Sequence, residues 1–191
     1  MKRITTVVFL AAFGLGCQQT NPIEPTGVAA GGSSAAGNGI VMSATGNGTY
    51  DAGVIVTFSM NALAKADGSA KGEFRHTTTL GGELIDFTGR VTCMAVDSAN
   101  GRSWIGGVIT ENNSTHSSFT GAINQVGRDV WFRVLDSGEG NGVIDRTTFL
   151  GFEGGGGIDT SAEYCEMKIW PNDPPNDRTG PLTSGNIQVR P

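Results

Sequence analysis

Short runs in which apolar and polar side chains alternate dominate the sequence from about residue 50 onward. In residues 54–62 an apolar side chain occupies every second position, and residues 129–135 repeat this pattern. A period of two places one set of side chains on one face of a β-strand, whereas an amphipathic helix repeats every 3.6 residues. Turn signals such as Asp67-Gly68 separate the runs. The pattern therefore predicts an all-β domain.

The alternating runs are numerous enough to build a complete sheet. We predict about eight to ten short strands, which suits an antiparallel barrel or sandwich. Asn100-Gly101 predicts a type I′ hairpin, because both residues tolerate positive φ. We predict no helix, and prolines make residues 171–181 an irregular loop. The predicted strands are 54–62, 72–79, 84–87, 90–96, 103–110, 119–124, 129–135, 146–152, 163–169 and 187–189.

The first residues have the features of an export signal. Lys2 and Arg3 precede a mostly apolar stretch, residues 4–15, which is too short to span a bilayer as a permanent helix. Gly16 and Cys17 follow and resemble a bacterial lipobox, in which the cysteine is lipidated and becomes the new N-terminus. Gly14 departs from that pattern, since a large aliphatic residue is usual there. A plain secreted protein is therefore the alternative.

These features predict a tethered envelope protein. We assign residues 1–16 to a signal peptide, Cys17 to lipidation and residues 17–39 to a flexible tether, because small and polar residues dominate that segment. Residues 40–191 form a single domain. Acyl chains on Cys17 would bind the membrane, and Gln18, which is not Asp, indicates the outer membrane by resemblance to lipoprotein sorting. We expect an outer-membrane-anchored or periplasmic protein.

The remaining cysteines agree with export. With Cys17 lipidated, Cys93 and Cys165 are left as an even pair, and oxidising compartments favour disulfides. Two free buried thiols are the alternative. The net charge is −5, and the 13 Lys and Arg residues form no basic cluster. Nucleic acid is therefore excluded as an expected partner.

Several short motifs, taken in order, resemble a widespread domain of exported bacterial proteins to which no activity is assigned. Its members have a VTC-like strand, an acidic V-x-D-x-G-E segment and a C-terminal GNIQV-like strand. The resemblance covers residues 50–190 and implies an exported β domain without naming a substrate. The matching segments are GRVTC at 89–93, GGV at 106–108, VLDSGEG at 134–140 with Asp145, Cys165, and SGNIQV at 184–189.

Asp136, Glu139 and Asp145 form the densest acidic cluster, within a glycine-rich segment. Calcium prefers several oxygen ligands on such a loop, although the spacing is not that of an EF-hand. The simpler interpretation is a solvated turn in which Asp and Gly suit the backbone geometry. The same carboxylates are the candidates for a carbohydrate hydrolase, which also needs a cleft between two facing acids.

The other chemistry-bearing side chains give weaker indications. His76 and His116 are far apart in the sequence, and we expect both to be exposed polar residues rather than metal ligands. The aromatic side chains either form a stacking surface for a ligand or, as is common in β proteins, belong to the core. They are Trp104, Trp131, Trp170, Tyr50 and Tyr164.

Together these observations predict a non-enzymatic envelope lipoprotein whose β domain has a structural or interaction role. It needs no cofactor, and its expected partners are the membrane, through the lipid on Cys17, and a protein or small molecule that the sequence does not name. Three alternatives stay open. They are a barrel that carries a small apolar ligand, a calcium-stabilised binding module and a hydrolase that uses the acidic cluster.

Overall fold

Nine β-strands, all within the described residues 39–140, 142–171 and 178–191, form one antiparallel sheet in the computed structural model. These residues belong to one compact unit, Ser34–Pro191. The predicted signal peptide, the lipidation site Cys17 and all but the last residue of the predicted tether lie outside the described residues. The elements are β1 Ile40–Asp51, β2 Ile55–Lys65, β3 Ala70–Leu80, β4 Glu83–Asp97, β5 Arg102–Asn112, β6 Asp129–Leu135, β7 Arg146–Thr147, β8 Gly151–Phe152, α1 Ser161–Met167 and β9 Gly180–Arg190.

The sheet closes on itself. From β5 through β4, β3, β2, β1, β9 and β7 to β6, each strand pairs with the next, and β6 pairs back with β5. The closing ladder runs from Arg102 opposite Leu135 to Val108 opposite Asp129. Strands β7 and β8 both pair with β6, so they act as two ends of one interrupted strand. The all-β prediction is confirmed, in its barrel form.

Aromatic and branched side chains fill the barrel interior. The alternation predicted for β2 is confirmed, because Val56, Phe58 and Met60 are buried while the residues between them are exposed. The rings of Phe74 and Phe132 lie edge to face with their centroids 5.2 Å apart. Small barrels of about eight strands are just wide enough to be filled by such side chains. The interior is therefore a packed core.

A second, smaller apolar cluster lies outside the barrel, beneath helix α1. It contains Trp104, Trp131 and Tyr164, together with Ala95 and Ile158. The helix contacts β4, β5 and β6. An irregularity between Val91 and Cys93 in the β4–β5 ladder explains how β4 contributes side chains to both clusters. An extra residue reverses the side-chain phase of a strand. Val91 before it therefore faces the core, whereas Cys93 and Ala95 after it face α1.

The prediction of no helix is wrong. Residues 163–169, predicted as a strand, fall mainly in helix α1. The side chain of Thr160 accepts the backbone N–H of Glu163, and the Glu163 carboxylate accepts the N–H of Asp159. This arrangement is close to a capping box, which satisfies the N–H groups that a helix start leaves unpaired.

Three local predictions also need correction. Residues 119–124, predicted as a strand, form two 3₁₀ turns, Ser117–Phe119 and Ala122–Asn124. The turn at Asn100-Gly101 is not type I′, because only Gly101 has positive φ and a 3₁₀ turn precedes it. The last strand was predicted at 187–189 after an irregular loop at 171–181, but strand β9 already starts at Gly180 and includes Pro181. None of the helices among the described residues is long and apolar enough to cross a membrane.

Candidate functional site

Two of the three predicted metal ligands accept backbone hydrogen bonds. One oxygen of Asp145 accepts the N–H of Ser137 at 3.0 Å, and the other accepts the N–H of Ile187 at 2.7 Å. Asp136 does the same with Gly138 at 2.9 Å and Val189 at 2.8 Å. The acidic segment is thus hydrogen-bonded to the C-terminal strand at two places.

These bonds cover a part of β9 that has no neighbouring strand on one side. Strand β9 pairs with β1 along most of its length, but it pairs with β7 only at Gly180 and Pro181. On that side the N–H groups of Ile187 and Val189 face no strand within the described part of the chain, and a buried amide without a partner is costly. The carboxylates take the place of the missing strand. The two motifs that the sequence presents as separate are therefore one hydrogen-bonded unit.

Glu139 lies apart from this arrangement, as an exposed side chain on the β6–β7 loop. It borders a cleft of about 230 Å³ between that loop and β9, which Asp145 also lines. Within residues 39–140, 142–171 and 178–191, no three His, Cys, Asp or Glu side chains are grouped closely enough to hold a metal ion. Calcium binding by Asp136, Glu139 and Asp145 stays a prediction.

The expectation that both histidines are exposed is wrong for His76. Its ring is fully buried in the barrel core, with its centroid 5.1 Å from that of Phe132. His76 Nδ1 lies 3.1 Å from the hydroxyl of Tyr50, which donates to the carbonyl of Thr148 at 3.2 Å. Because the hydroxyl has a single proton, Nδ1 carries the hydrogen of the neutral ring and donates to Tyr50. Nε2 is then an acceptor, and it has no hydrogen-bond partner among the residues that the structure describes.

Burial governs the protonation of this pair. It lowers the pKa of His76 from 6.5 to about 3, and it raises the pKa of Tyr50 far above its usual value. Both groups are therefore neutral at ordinary pH, as expected for polar groups in an apolar core. His116, by contrast, is half-buried in a loop, where Nδ1 accepts the N–H of Ser118. The two histidines do not come together.

The predicted aromatic surface is divided between two places. Tyr50 lies in the barrel core, whereas Trp131 and Tyr164 stack on each other under α1, with centroids 5.6 Å apart and planes 21° apart. Each ring covers one face of the other, and both side chains are buried, so little of their surface is left for a ligand. Burial raises the pKa of Tyr164, and the positive charge of Arg133 and its hydrogen bond to Tyr164 oppose that shift. These rings belong to cores, as the alternative interpretation expected.

An open cleft borders the rings under α1. It has a volume of about 290 Å³, and Trp131, Arg133, Tyr164 and Arg178 are among its lining residues. The guanidinium of Arg133 lies 5.2 Å from the ring centroid of Trp170, a distance at which a cation is attracted to an aromatic face. Arg133 thus helps to hold Trp170 beside the helix.

The predicted disulfide between Cys93 and Cys165 is present. It joins β4 to helix α1 across a sequence separation of 72 residues, with the Cα atoms 6.2 Å apart. The irregularity after Val91 turns Cys93 outward, where it meets the helix. The disulfide therefore fastens the helix to the outside of the barrel.

Hydroxyl and amide side chains dominate the outer surface of five neighbouring strands. We call this surface the polar face. It is built on rows of paired residues, one of which runs through Asn186, Asn47, Ser59, Arg75 and Thr88. Sequence reasoning missed it because strand order cannot be deduced from alternation. The polar face comprises Thr45, Asn47, Thr49, Thr57, Ser59, Asn61, Glu73, Arg75, Thr77, Thr88, Arg90, Ser184, Asn186 and Gln188.

Two adjoining shallow clefts lie on the polar face. They have volumes of about 460 and 380 Å³, and Ser59 and Arg75 line both. Arg75 makes two hydrogen bonds of 2.9 Å to the buried carboxylate of Asp86, to which Thr77 also donates. The bond to Arg75 lowers the pKa of Asp86. The positive charge of Arg75 thus has an anionic partner beneath the surface.

The comparisons with known proteins bring no relative. No family model matches the chain, and no curated protein or solved structure matches it with significance. The residues described above are therefore interpreted from their own geometry.

Proposed function

We propose that this chain is a non-enzymatic binding domain anchored in the bacterial cell envelope. In this proposal residues 1–16 direct export, a lipid on Cys17 attaches the protein to the membrane, and the barrel displays its outer surface to a partner. The Cys93–Cys165 disulfide carries the proposal, because such bonds persist in oxidising compartments and are rare in the cytosol. The resemblance to domains of exported bacterial proteins agrees with it.

The positions of the candidate chemical groups support a role without catalysis. Asp136 and Asp145 accept backbone N–H groups, and His76 is enclosed by aromatic rings. A general acid or base must reach the proton that it transfers, and the buried ring of His76 reaches no open surface. The packed core also argues against a carrier of apolar molecules, which needs internal space. Binding at the outer surface is the remaining way to contact a partner.

Lipid labelling of the full precursor in a bacterial host tests the anchor. We expect radioactive palmitate on the wild-type protein and membrane association in cell fractions. Cys17→Ser should lose both while keeping the disulfide. The double variant Cys93→Ser/Cys165→Ser is the matched control and should retain the label. An unlabelled wild-type protein found in the cytoplasm with free thiols would refute the proposal.

Native mass spectrometry of the exported full-length Cys17→Ser variant, with and without a chelator, tests the alternatives. We expect a bare chain whose mass is short by two hydrogens, as the disulfide requires. A retained organic mass would favour a ligand carrier instead. A calcium mass that the chelator removes would favour a calcium-bound module, and Asp136, Glu139 and Asp145 would then be the residues to substitute.

A further inference from the structure

We propose that the polar face binds a neutral, hydroxyl-rich polysaccharide. This inference names the partner class for the binding role proposed above and rests on it. The polar face is a continuous outer surface across β9, β1, β2, β3 and β4, and it contains the two clefts that meet at Ser59 and Arg75.

The polar face has no net charge. Its ionisable residues are Glu73, Arg75 and Arg90. The carboxylate of Asp86 neutralises Arg75, and Arg90 lies opposite Glu73 on the neighbouring strand. Because the chain as a whole has a net charge of −5, this neutrality is a local property of the face rather than a consequence of the composition.

Many of these side chains are available for hydrogen bonds. The side chains of Asn47, Ser59, Asn61 and Asn186 are exposed and bond to no other residue that the structure describes. Each amide offers two donors and an acceptor, and each hydroxyl offers one donor and accepts as well. A sugar polymer has the same mixture of donors and acceptors, so it can satisfy both kinds of group along the face.

The composition of the face disfavours other macromolecules. Protein interfaces are enriched in Tyr, Trp, Phe, Met and Arg. The polar face holds none of these except Arg75, which pairs with Asp86, and Arg90, which lies opposite Glu73. Nucleic acids require a cluster of cations. A lipid surface requires apolar or cationic side chains. A neutral polymer of hydroxyl groups requires none of these.

The dimensions of the face favour a polymer over a single small molecule. The row from Asn186 to Thr88 crosses five strands in register. With strands roughly 4.8 Å apart, the row is about 19 Å long. Asn47, Ser59, Arg75 and Thr88 of this row all line the larger cleft. The cleft is therefore an open groove that runs along the row.

Affinity electrophoresis of the exported full-length Cys17→Ser variant tests the inference. The gels contain one of several neutral polymers, namely dextran, mannan, a β-glucan or a galactan, or one of two acidic polymers, alginate or polygalacturonate. We expect at least one neutral polymer to retard the protein. Adding Ser59→Ala and Asn61→Ala should weaken that binding about tenfold, because two hydrogen-bonding side chains are lost. Adding Ser59→Trp instead should abolish it by filling the groove.

The matched control replaces two exposed serines away from the face, Ser117→Ala and Ser118→Ala, and should bind like the parent. Thermal unfolding of every variant establishes that the barrel is intact. Retardation by none of the neutral polymers, or by acidic polymers alone, would overturn the inference, as would equal retardation of the double variant with Ser59→Ala and Asn61→Ala. If the wild-type protein is lipidated and exported but binds no polymer, the polysaccharide inference is refuted and the proposed envelope anchor is still supported.

Discussion

The carboxylate of Asp145 accepts the backbone N–H of Ile187 at 2.7 Å, although 42 residues separate them in the sequence. Asp145 is only 6% exposed, so little water competes for the bond. Hydrogen bonds to ionised groups are about twice as strong as those between neutral groups. This contact, together with that of Asp136 to Val189, holds the acidic loop against the last strand of the barrel.

Replacement of Asp145 by Asn should destabilise the fold. An amide has about the same size, but its NH₂ group must face the N–H of either Ser137 or Ile187, which leaves that donor unpaired. We expect a loss of about 2–4 kcal/mol, measured by chemical denaturation. Glu139→Gln, on the exposed part of the same loop, should change the stability by less than about 0.5 kcal/mol. Equal effects of the two variants would contradict the structural role of Asp145.

Reduction of the disulfide should weaken the barrel substantially. A loop of 72 residues corresponds to about 4 kcal/mol in the chain-entropy model. We therefore expect the double variant Cys93→Ser/Cys165→Ser to unfold at a clearly lower denaturant concentration, and the wild-type protein in reductant to behave in the same way. Cys17→Ser is the control and should unfold like the oxidised wild-type protein. An unchanged midpoint in reductant would show that the bond adds no stability.

The stability of the fold should depend on the protonation of His76. The ring has a pKa of about 3 in the folded protein and an ordinary value of 6.5 when unfolded. Between these values the unfolded chain binds a proton that the folded chain does not. The stability is therefore full above pH 6.5 and falls by about 1.4 kcal/mol per unit as the pH decreases toward 3.

Denaturation curves between pH 7 and 4.5 measure this effect, because above pH 4.5 the carboxylates contribute little. We expect a loss of about 2–3 kcal/mol over that range. His76→Phe keeps an aromatic ring in the core and should remove most of the dependence on pH. If the variant and the wild-type protein show the same slope, another group is responsible.

A side chain at Gly89 should disturb the core. A Cβ atom there would overlap the ring of Phe74, which lies against the backbone of this glycine. We expect Gly89→Ala to cost about 1–3 kcal/mol, measured by thermal or chemical unfolding. Adding Phe74→Leu should recover part of that loss relative to Phe74→Leu alone, because the two positions are in contact.

Gly121→Ala is the matched control for this test. Its Cβ would approach only the side chain of Asn124, at 3.8 Å, and its φ of −71° suits any residue. We expect a change of less than about 0.5 kcal/mol. A similar cost at both glycines would mean that the effect comes from the backbone rather than from the ring of Phe74.

The sequence predicted the strands whose two faces differ in polarity. In β2 and β6 the buried residues alternate with others, so the period of two was visible. Strand β1 was missed because its inner positions include Gly46 and Gly48, which give no apolar signal. The burial of His76 had a signal, since it lies two residues after the buried Phe74 and therefore on the same face.

The helix and the site depended on information that alternation does not carry. Residues 163–169 fit a period of two, which wrongly predicted a strand where helix α1 lies. Only the spacing from Thr160 to Glu163 indicated a helix start. The polar face required the order of five strands. The bonds of Asp136 and Asp145 required the position of β9, which is set by long-range pairing rather than by local sequence.

The pairing of the first strand with the last has a consequence for how the chain reaches its final state. Ser43 on β1 lies opposite Arg190 on β9, so the ring of strands cannot close until almost the whole chain is available. If the protein crosses a membrane from its N-terminus onward, β1 emerges early, and the edge that pairs with β9 stays unpaired until β9 has crossed. Such an edge readily pairs with other chains. In that case the protein most needs a chaperone while it crosses the membrane.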